Sequence, residues 1–280
     1  VSEQLAELVD LLDLEQVEEN LFRGYHPRER TRRLYGGQIM AQALMGAART
    51  VPADRIVHSL HGYFLRPGTP KVPAVIKVER LRDGGSFSSR RVVVLQNGEA
   101  IFNMDASFHI VEEGMTHQFS TAESATADPS GLPPSKPPSA EQIPAYLYDD
   151  TFITWRHEFR RLQSTTPQAP QQYVWFKPNG TVPDDPILHT CLLVYQSDNT
   201  LLGTSRLAHR GKFERDEMQV ASLDHAMWFH KPVNVASWLL YAQDSPSAAA
   251  SRGLTRGLIY DEAGELIAST VQEGLIRLHS

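Results

Sequence analysis

Apolar and polar positions recur along this chain with two periods, and the periods mark out its elements. Leu5, Leu8, Val9, Leu11, Leu12 and Val17 recur at helical spacing among Glu3, Glu7, Asp10 and Glu15, which predicts an opening amphipathic helix that caps or docks. Residues 36–51 predict a second helix of another kind, rich in small residues at Ala41, Ala43, Gly46, Ala47 and Ala48. Small side chains let a backbone lie close to a neighbouring layer, so this slim helix suits burial inside a curved sheet. Two-residue alternation then predicts strands over 56–65 and 74–81, the second with Ala74, Ile76 and Val78 on one face and Lys77 and Glu79 on the other. Segments 90–95 and 100–111 flank Gln96-Asn97-Gly98-Glu99, and an Asn-Gly pair between apolar runs signals a tight hairpin. A helix followed by a meander of antiparallel strands is an α+β unit, because no alternating helices are present to serve a parallel sheet.

Residues 112–150 change character, with Pro129, Pro133, Pro134, Pro137, Pro138 and Pro144 among serines, threonines and alanines, and read as a linker. Beyond it the first half repeats. Aligned without gaps, 90–110 lies over 256–276, so that Gly98-Glu99 falls on Gly264-Glu265 and Ile110 on Ile276. Upstream, Ser59-Leu60-His61 lies over Ser222-Leu223-Asp224, and a helix predicted over 187–202 precedes the second sheet as 36–51 precedes the first. The expected organisation is therefore 1–111, a linker over 112–150, and a second copy over 151–280.

Composition narrows the function classes. A formal net charge of -6 has the wrong sign for gripping phosphate backbones, which argues against a nucleic-acid partner. No apolar run approaches a membrane span, and the acidic start does not read as a secretory leader, so a membrane is not expected as partner. A single cysteine, Cys191, excludes an internal disulfide framework and fits a reducing, cytoplasmic setting, and within its apolar run it reads as a small packed hydrophobe. Neither a Gly-x-Ser-x-Gly elbow nor a phosphate-binding glycine loop occurs, and the histidines lack the spacing of a metal site, so no metal or cofactor is expected.

Polarity where the repeat predicts filling is the chemical signal. Phe102, Met104, Ala106, Phe108 and Ile110 share one face of the last strand of the first copy, whereas the second copy carries Ala268, Thr270, Gln272, Gly274 and Ile276 there. Gln272 thus replaces Ala106 on an inward face, and a buried amide needs partners: either it is a satisfied structural glutamine or it belongs to a site. Asp198, toward the end of the second slim helix, is a candidate general base or a solvated helix-end residue.

Tyr35-Gly36-Gly37-Gln38, the run from His58 to Gly68, the run from Arg82 to Arg90, Leu223-Asp224-His225-Ala226-Met227-Trp228-Phe229-His230 and Ala268-Ser269-Thr270-Val271-Gln272-Glu273-Gly274 together resemble acyl-CoA thioesterase II, the TesB family. The resemblance implies a double hotdog, two tandem copies of a long helix wrapped by an antiparallel sheet. It also implies hydrolysis of fatty acyl-CoA to free acid and CoA by a water held and activated by Asp, Thr and Gln, without a covalent intermediate. The matching positions are Asp198, Gln272 and Ser222, the last a serine where the family usually has threonine; the hydroxyl is kept and the rotamer-fixing methyl is lost. Gly37, His58, Arg66, Ser86, Phe87 and Arg90 are the substrate-binding candidates, with His58 also a rival base. A homodimer or homotetramer is the expected assembly. The alternative readings are a non-catalytic acyl-CoA binding or sensing protein with the same cleft, and a hotdog dehydratase, which would want an inward histidine with a carboxylate.

Overall fold

The computed structural model describes residues 2–27, 33–118, 136–156, 167, 169–213 and 217–279. Helix α1 (Glu3–Leu12) is followed by β1 (Glu15–Glu18), β2 (Leu21–Gly24), α2 (Gly36–Ala48), β3 (Arg55–Phe64), β4 (Ala74–Asp83), β5 (Phe87–Gln96) and β6 (Glu99–Ile110). Two short 3-10 turns precede β7 (Phe152–Arg156) and β8 (Gln171–Pro178). Then come α3 (Pro186–Ser197), a 3-10 segment (Leu202–His209), β9 (Met218–Ser222), β10 (Asp224–Phe229), β11 (Leu239–Ala249), β12 (Arg252–Asp261) and β13 (Leu266–Leu278).

One antiparallel sheet takes in every described strand, in the order β1-β2-β4-β5-β6-β3-β10-β13-β12-β11-β8-β7, with β9 also against β13. The order reads the same way outward from its centre. β4-β5-β6-β3 on one side matches β11-β12-β13-β10 on the other, and β3 pairs with β10 where the two sets meet. The repeat seen in the sequence is thus a repeat of topology.

The ladders refine its register. β6 and β13 correspond as aligned, but Arg90 faces Ala106 while Thr255, not Arg256, faces Gln272. Asp261 bonds to Glu265 across the β12–β13 turn, which leaves three residues between them against the two, Asn97 and Gly98, between Gln96 and Glu99, and moves β12 by one place. Met227 opposite Thr270 is the counterpart of Gly62 opposite Met104, and Ser222 opposite Gly274 that of Val57 opposite Phe108. Ser222 therefore answers to Val57 rather than to Ser59.

Helix α2 is buried at every residue from Gly37 to Ala47, as its run of small residues requires. A Cβ added at Gly46 would lie 3.0 Å from Ile76 Cγ2, and one at Gly37 2.3 Å from the Tyr195 carbonyl oxygen. The second distance is below any contact, so Gly37 is what allows α2 to lie against the end of α3. α3 begins one residue earlier than predicted, at Pro186, and stops at Ser197, short of Leu202; its tail continues instead as the 3-10 segment. Asp185 caps α3 by accepting from the Ile187 and Leu188 amides, with proline at the first helical position, where a missing N–H costs nothing. α1 buries Leu5, Leu8 and Leu12 and is stitched to α2 by the Gln42 amide, which donates to the Leu11 carbonyl at 3.0 Å. No described helix is long and apolar enough to cross a membrane.

Candidate active site

Asp198 is the residue on which α3 ends. Its Oδ1 accepts from Gln272 Nε2 at 2.7 Å, and its Oδ2 accepts from the backbone N–H of Gly37 at 3.0 Å. Gln272 Nε2 also donates to Ser222 Oγ at 3.0 Å. A carboxylate can only accept, so the amide nitrogen of Gln272 must be the atom facing Asp198. Gln272 is fully buried, and its Oε1 has no hydrogen-bond partner.

Each position has a local cause. Gln272 lies on the inward face of β13, where the two-residue period places Thr270 and Gly274 beside it. Ser222 ends β9, and the chain then bulges through Leu223 and Asp224 before β10 resumes pairing with β13. Asp224 Oδ1 accepts the Glu273 N–H at 2.7 Å and pins the bulge, which leaves Ser222 turned toward Gln272. Gly36 and Gly37 bring the first turn of α2 to Asp198; a Cβ on Gly36 would lie 2.8 Å from Asp198 Oδ2. Tyr35 supplies no side-chain cap, and its hydroxyl donates instead to the Tyr195 carbonyl at 2.8 Å. The positive end of α2 is thus left facing the carboxylate.

Asp198 is partly buried and lines a cavity together with Ser222. That enclosure raises its pKa above the ordinary carboxylate range, while hydrogen bonds from Gln272, Gly37 and Ser222 pull the other way. A carboxylate whose charged form three donors favour, and which burial makes more basic, is the electrostatic setting of a general base. Beside it, buried His225 is pushed down to about 3 by burial, with His61 a smaller cause, and is neutral; its ring meets Ser197 Oγ at 3.0 Å and supports the end of α3. Cys191 is buried, and burial pushes its thiol up, so it is packed and inert.

Of the binding candidates, Gly37 stands in the site. His58, Ser86, Phe87 and Arg90 belong to the other end of α2, about 20 Å away at 1.5 Å per residue. Arg90 is fully buried and clamps that end, donating to Thr50 Oγ1 and to the carbonyls of Thr50, Arg82 and Ser89, with Asp83 at 2.7 Å; its donors are spent inside the fold. Phe87 stacks on His109 with centroids 4.2 Å apart, and the Ser86 carbonyl accepts from Ile110. His58 meets Ser107 Oγ at 2.8 Å, and its pKa is lowered by burial and by His109, so it is not beside the carboxylate as a rival base would be. Arg66 is exposed and donates to the Ala100 carbonyl at 2.8 Å, near Glu99. Among the described residues no cluster of side chains could hold a metal ion.

Three further residues face the cavity of Asp198 and Ser222: Arg156, Arg206 and Arg210. They come from the end of β7, the 3-10 segment and the residue after it, and no local motif links them.

Residues 149–275 match the family described as acyl-CoA thioesterase, and residues 26–109 match the acyl-CoA thioesterase N-terminal domain. Acyl-CoA thioesterase 2 of Haemophilus influenzae is 38% identical over 99% of each chain. The crystal structure of an acyl-CoA thioesterase II from Mycobacterium marinum is 43% identical and superposes with a TM-score of 0.82 over 98% of this chain and 99% of that one. A hot dog fold protein from Alicyclobacillus acidocaldarius shares the fold at 17% identity, with a TM-score of 0.73 over 98% of this chain and 99% of that one. Helices packed on one antiparallel sheet, the match to these folds and the near-complete coverage of its relatives identify the chain as an α+β hotdog protein that belongs to the acyl-CoA thioesterase II family, the TesB type.

Proposed function

We propose that the protein is an acyl-CoA thioesterase that hydrolyses fatty acyl-CoA to free fatty acid and CoA with a water activated by Asp198, Gln272 and Ser222. One observation carries the reading: a base and a hydroxyl in one cavity wall share a hydrogen-bond network with the buried Gln272 amide behind them, and the three come from three chain segments. Water donates one hydrogen to Asp198, held by Ser222 and by the Gln272 Oε1 that has no other partner. Its oxygen attacks the thioester carbonyl, the proton passes to Asp198, and the tetrahedral intermediate collapses by breaking the C–S bond. The thiolate leaves without prior protonation, and Asp198 returns its proton to it. In this reading no acyl-enzyme forms: Asp198 acts as base on water, the Ser222 hydroxyl accepts from Gln272 and holds that water, and the buried Cys191 thiol is packed in α3. Of the first-turn amides of α2, that of Gly37 is taken by Asp198, and its neighbours Gly36 and Gln38 supply donors for the oxyanion.

We further read the chain as a double hotdog of two units, 1–111 and 151–280, joined over 112–150; the matching strand order on either side of β3 and β10 supports this. A homodimer or homotetramer in the cytoplasm fits the half-exposed Ile56, Tyr63, Leu65 and Trp228 on the strands at the middle of the sheet and just beyond β3.

Free-thiol release from short, medium and long acyl-CoAs, measured for wild type beside Gln272→Ala, tests the function. Hydrolysis that falls about a hundredfold in the variant is expected. Saturable binding with no turnover at any chain length would overturn it.

A further inference from the structure

A thioester whose carbonyl sits at Asp198 must send its two arms in different directions, and Asn199, the next residue, is shared by the linings of two cavities. The larger, about 300 Å³, carries Leu8, Leu11, Leu34, Phe152, Tyr35 and Tyr195, together with the carboxylates of Glu7 and Asp150. It contains no described cationic side chain, so a phosphate there would meet like charge. The other, about 250 Å³, is polar and includes Asp198 and Ser222 themselves. Arg156, Arg206 and Arg210 line it, and Asp198 is the one carboxylate among its described lining residues. All three arginines are half-buried.

Guanidinium groups gathered at one cavity repel each other. Burial lowers the pKa of Arg156 first, and the charges of Arg210 and Arg206 lower it further. An anion relieves that repulsion, and the planar fork of arginine matches phosphate oxygens two at a time. Arg206 and Arg210 also make contacts within the protein, and five donors on each guanidinium let one side chain serve both purposes. Of the two arms of an acyl-CoA, only the coenzyme carries phosphates; the other is a hydrocarbon suited to the cavity with Leu8, Leu11, Leu34 and Phe152.

We infer that Arg156, Arg206 and Arg210 are the recognition site for the phosphate groups of coenzyme A, and that the acyl chain leaves Asp198 into the opposite cavity. The inference rests on the hydrolysis of acyl-CoA proposed above. It makes the three arginines binding residues with no part in proton transfer.

The test compares two substrates with the same thioester: an acyl-CoA and the acyl thioester of N-acetylcysteamine, which has no phosphate. In Arg156→Gln, Arg206→Gln and Arg210→Gln, KM for acyl-CoA should rise about ten to a hundredfold, the scale of a lost charge-assisted contact, while kinetics on the truncated thioester stay within about twofold. Retained turnover of the truncated thioester also certifies folding. Equal losses on both substrates would assign the arginines a structural role, and no loss on either would make them bystanders; both overturn the inference. Arg210→Lys, which keeps the charge, should recover part of the acyl-CoA KM. If wild type hydrolyses neither substrate, the parent reading fails, and calorimetric titration with adenosine 3′,5′-bisphosphate still decides the inference: binding that is weakened in the glutamine variants sustains it, and binding that is absent or unchanged rejects it.

Discussion

The C-terminal ends of α2 and α3 occupy equivalent places in the two halves of the sheet and do opposite work. α3 ends on Asp198, which faces Gln272 on β13, Ser222 at the end of β9 and the Gly37 amide of the other helix. α2 ends on Arg49, whose guanidinium is spent on the Leu14 carbonyl and Asp13. Where the site has Gln272, the first half has Ala106; where it has Ser222, the first half has Val57. The helix start that would face Arg49 is Pro186-Ile187, with no N–H on the proline and the amide of Ile187 already taken by Asp185. The cavity at this end, about 330 Å³, is walled mostly by apolar residues such as Val51, Val57, Phe108, Ile187 and Phe229, with Arg49, Arg55, Asp185 and Lys231 also lining it. One scaffold thus supports a polar network at one end and a mostly apolar lining at the other. The proposed site differs from the other end by four side-chain or backbone choices set on a shared architecture.

The strongest way to break the contrast is to remove the charge that defines it. Asp198→Asn keeps the shape of the network but not the base, and turnover on any acyl-CoA should fall between about 100-fold and 10,000-fold. The same substitution should raise Tm by about 2 °C in a thermal melt at neutral pH. The sign follows from the raised pKa: when the folded value exceeds the unfolded one, the stability contribution is full below the unfolded value and is lost as pH rises through the folded value. At neutral pH the ionised Asp198 therefore weakens the fold, and the neutral amide restores what it costs. In wild type, a pH–rate profile should show turnover falling on the acid side with a midpoint above that of an ordinary aspartate, because the base must be ionised. A midpoint at or below the ordinary value would mean that the three donors outweigh burial.

Gly37→Ala strikes the contrast at its backbone. Its new Cβ would overlap the Tyr195 carbonyl, so α2 must retreat, costing about 1–3 kcal/mol in urea unfolding and about tenfold in kcat as the amide leaves Asp198. Ile187→Ala at the equivalent place should leave kcat unchanged. Ala106→Gln asks whether an amide alone makes a second site. It should add no activity to an Asp198→Asn background, and an unpartnered buried amide should destabilise by about 1–3 kcal/mol. Smallest of all, Ser222→Thr restores the methyl that fixes the rotamer and should change kcat less than about threefold, read by thiol release.

The fold was legible where periodicity is long and turns are explicit. Strands β3 to β6 fall within a few residues of their predicted bounds, and the Asn97-Gly98 hairpin and the slim helix stand where they were expected. Gln272 could be found because β6 and β13 both follow a glycine turn at the same distance, so Ala106 and Gln272 align without help. The register of β12 and β10 was not legible, because a turn one residue longer and a bulge each shift the count without a composition signal. Distance along the helix was the second blind spot. Periodicity places the strand that carries His58, but nothing local shows which end of α2 that part of the strand meets, and the sequence therefore groups His58, Ser86 and Phe87 with a site at the far end. Arg156, Arg206 and Arg210 were invisible for a different reason: three solitary charges become a cluster only after β7 and the 3-10 segment pack beside α3.

The pairing of β3 with β10 has a consequence for any attempt to cut the molecule in two. Either half alone would end its sheet on a naked edge, with a row of unpaired amides and carbonyls where the other half belongs, and beside them the half-exposed Tyr63 or Trp228. Such edges template aggregation. A truncation within the connecting segment should therefore yield an insoluble fragment rather than a smaller protein, and covalent fusion of the halves guarantees each edge its proper neighbour at birth.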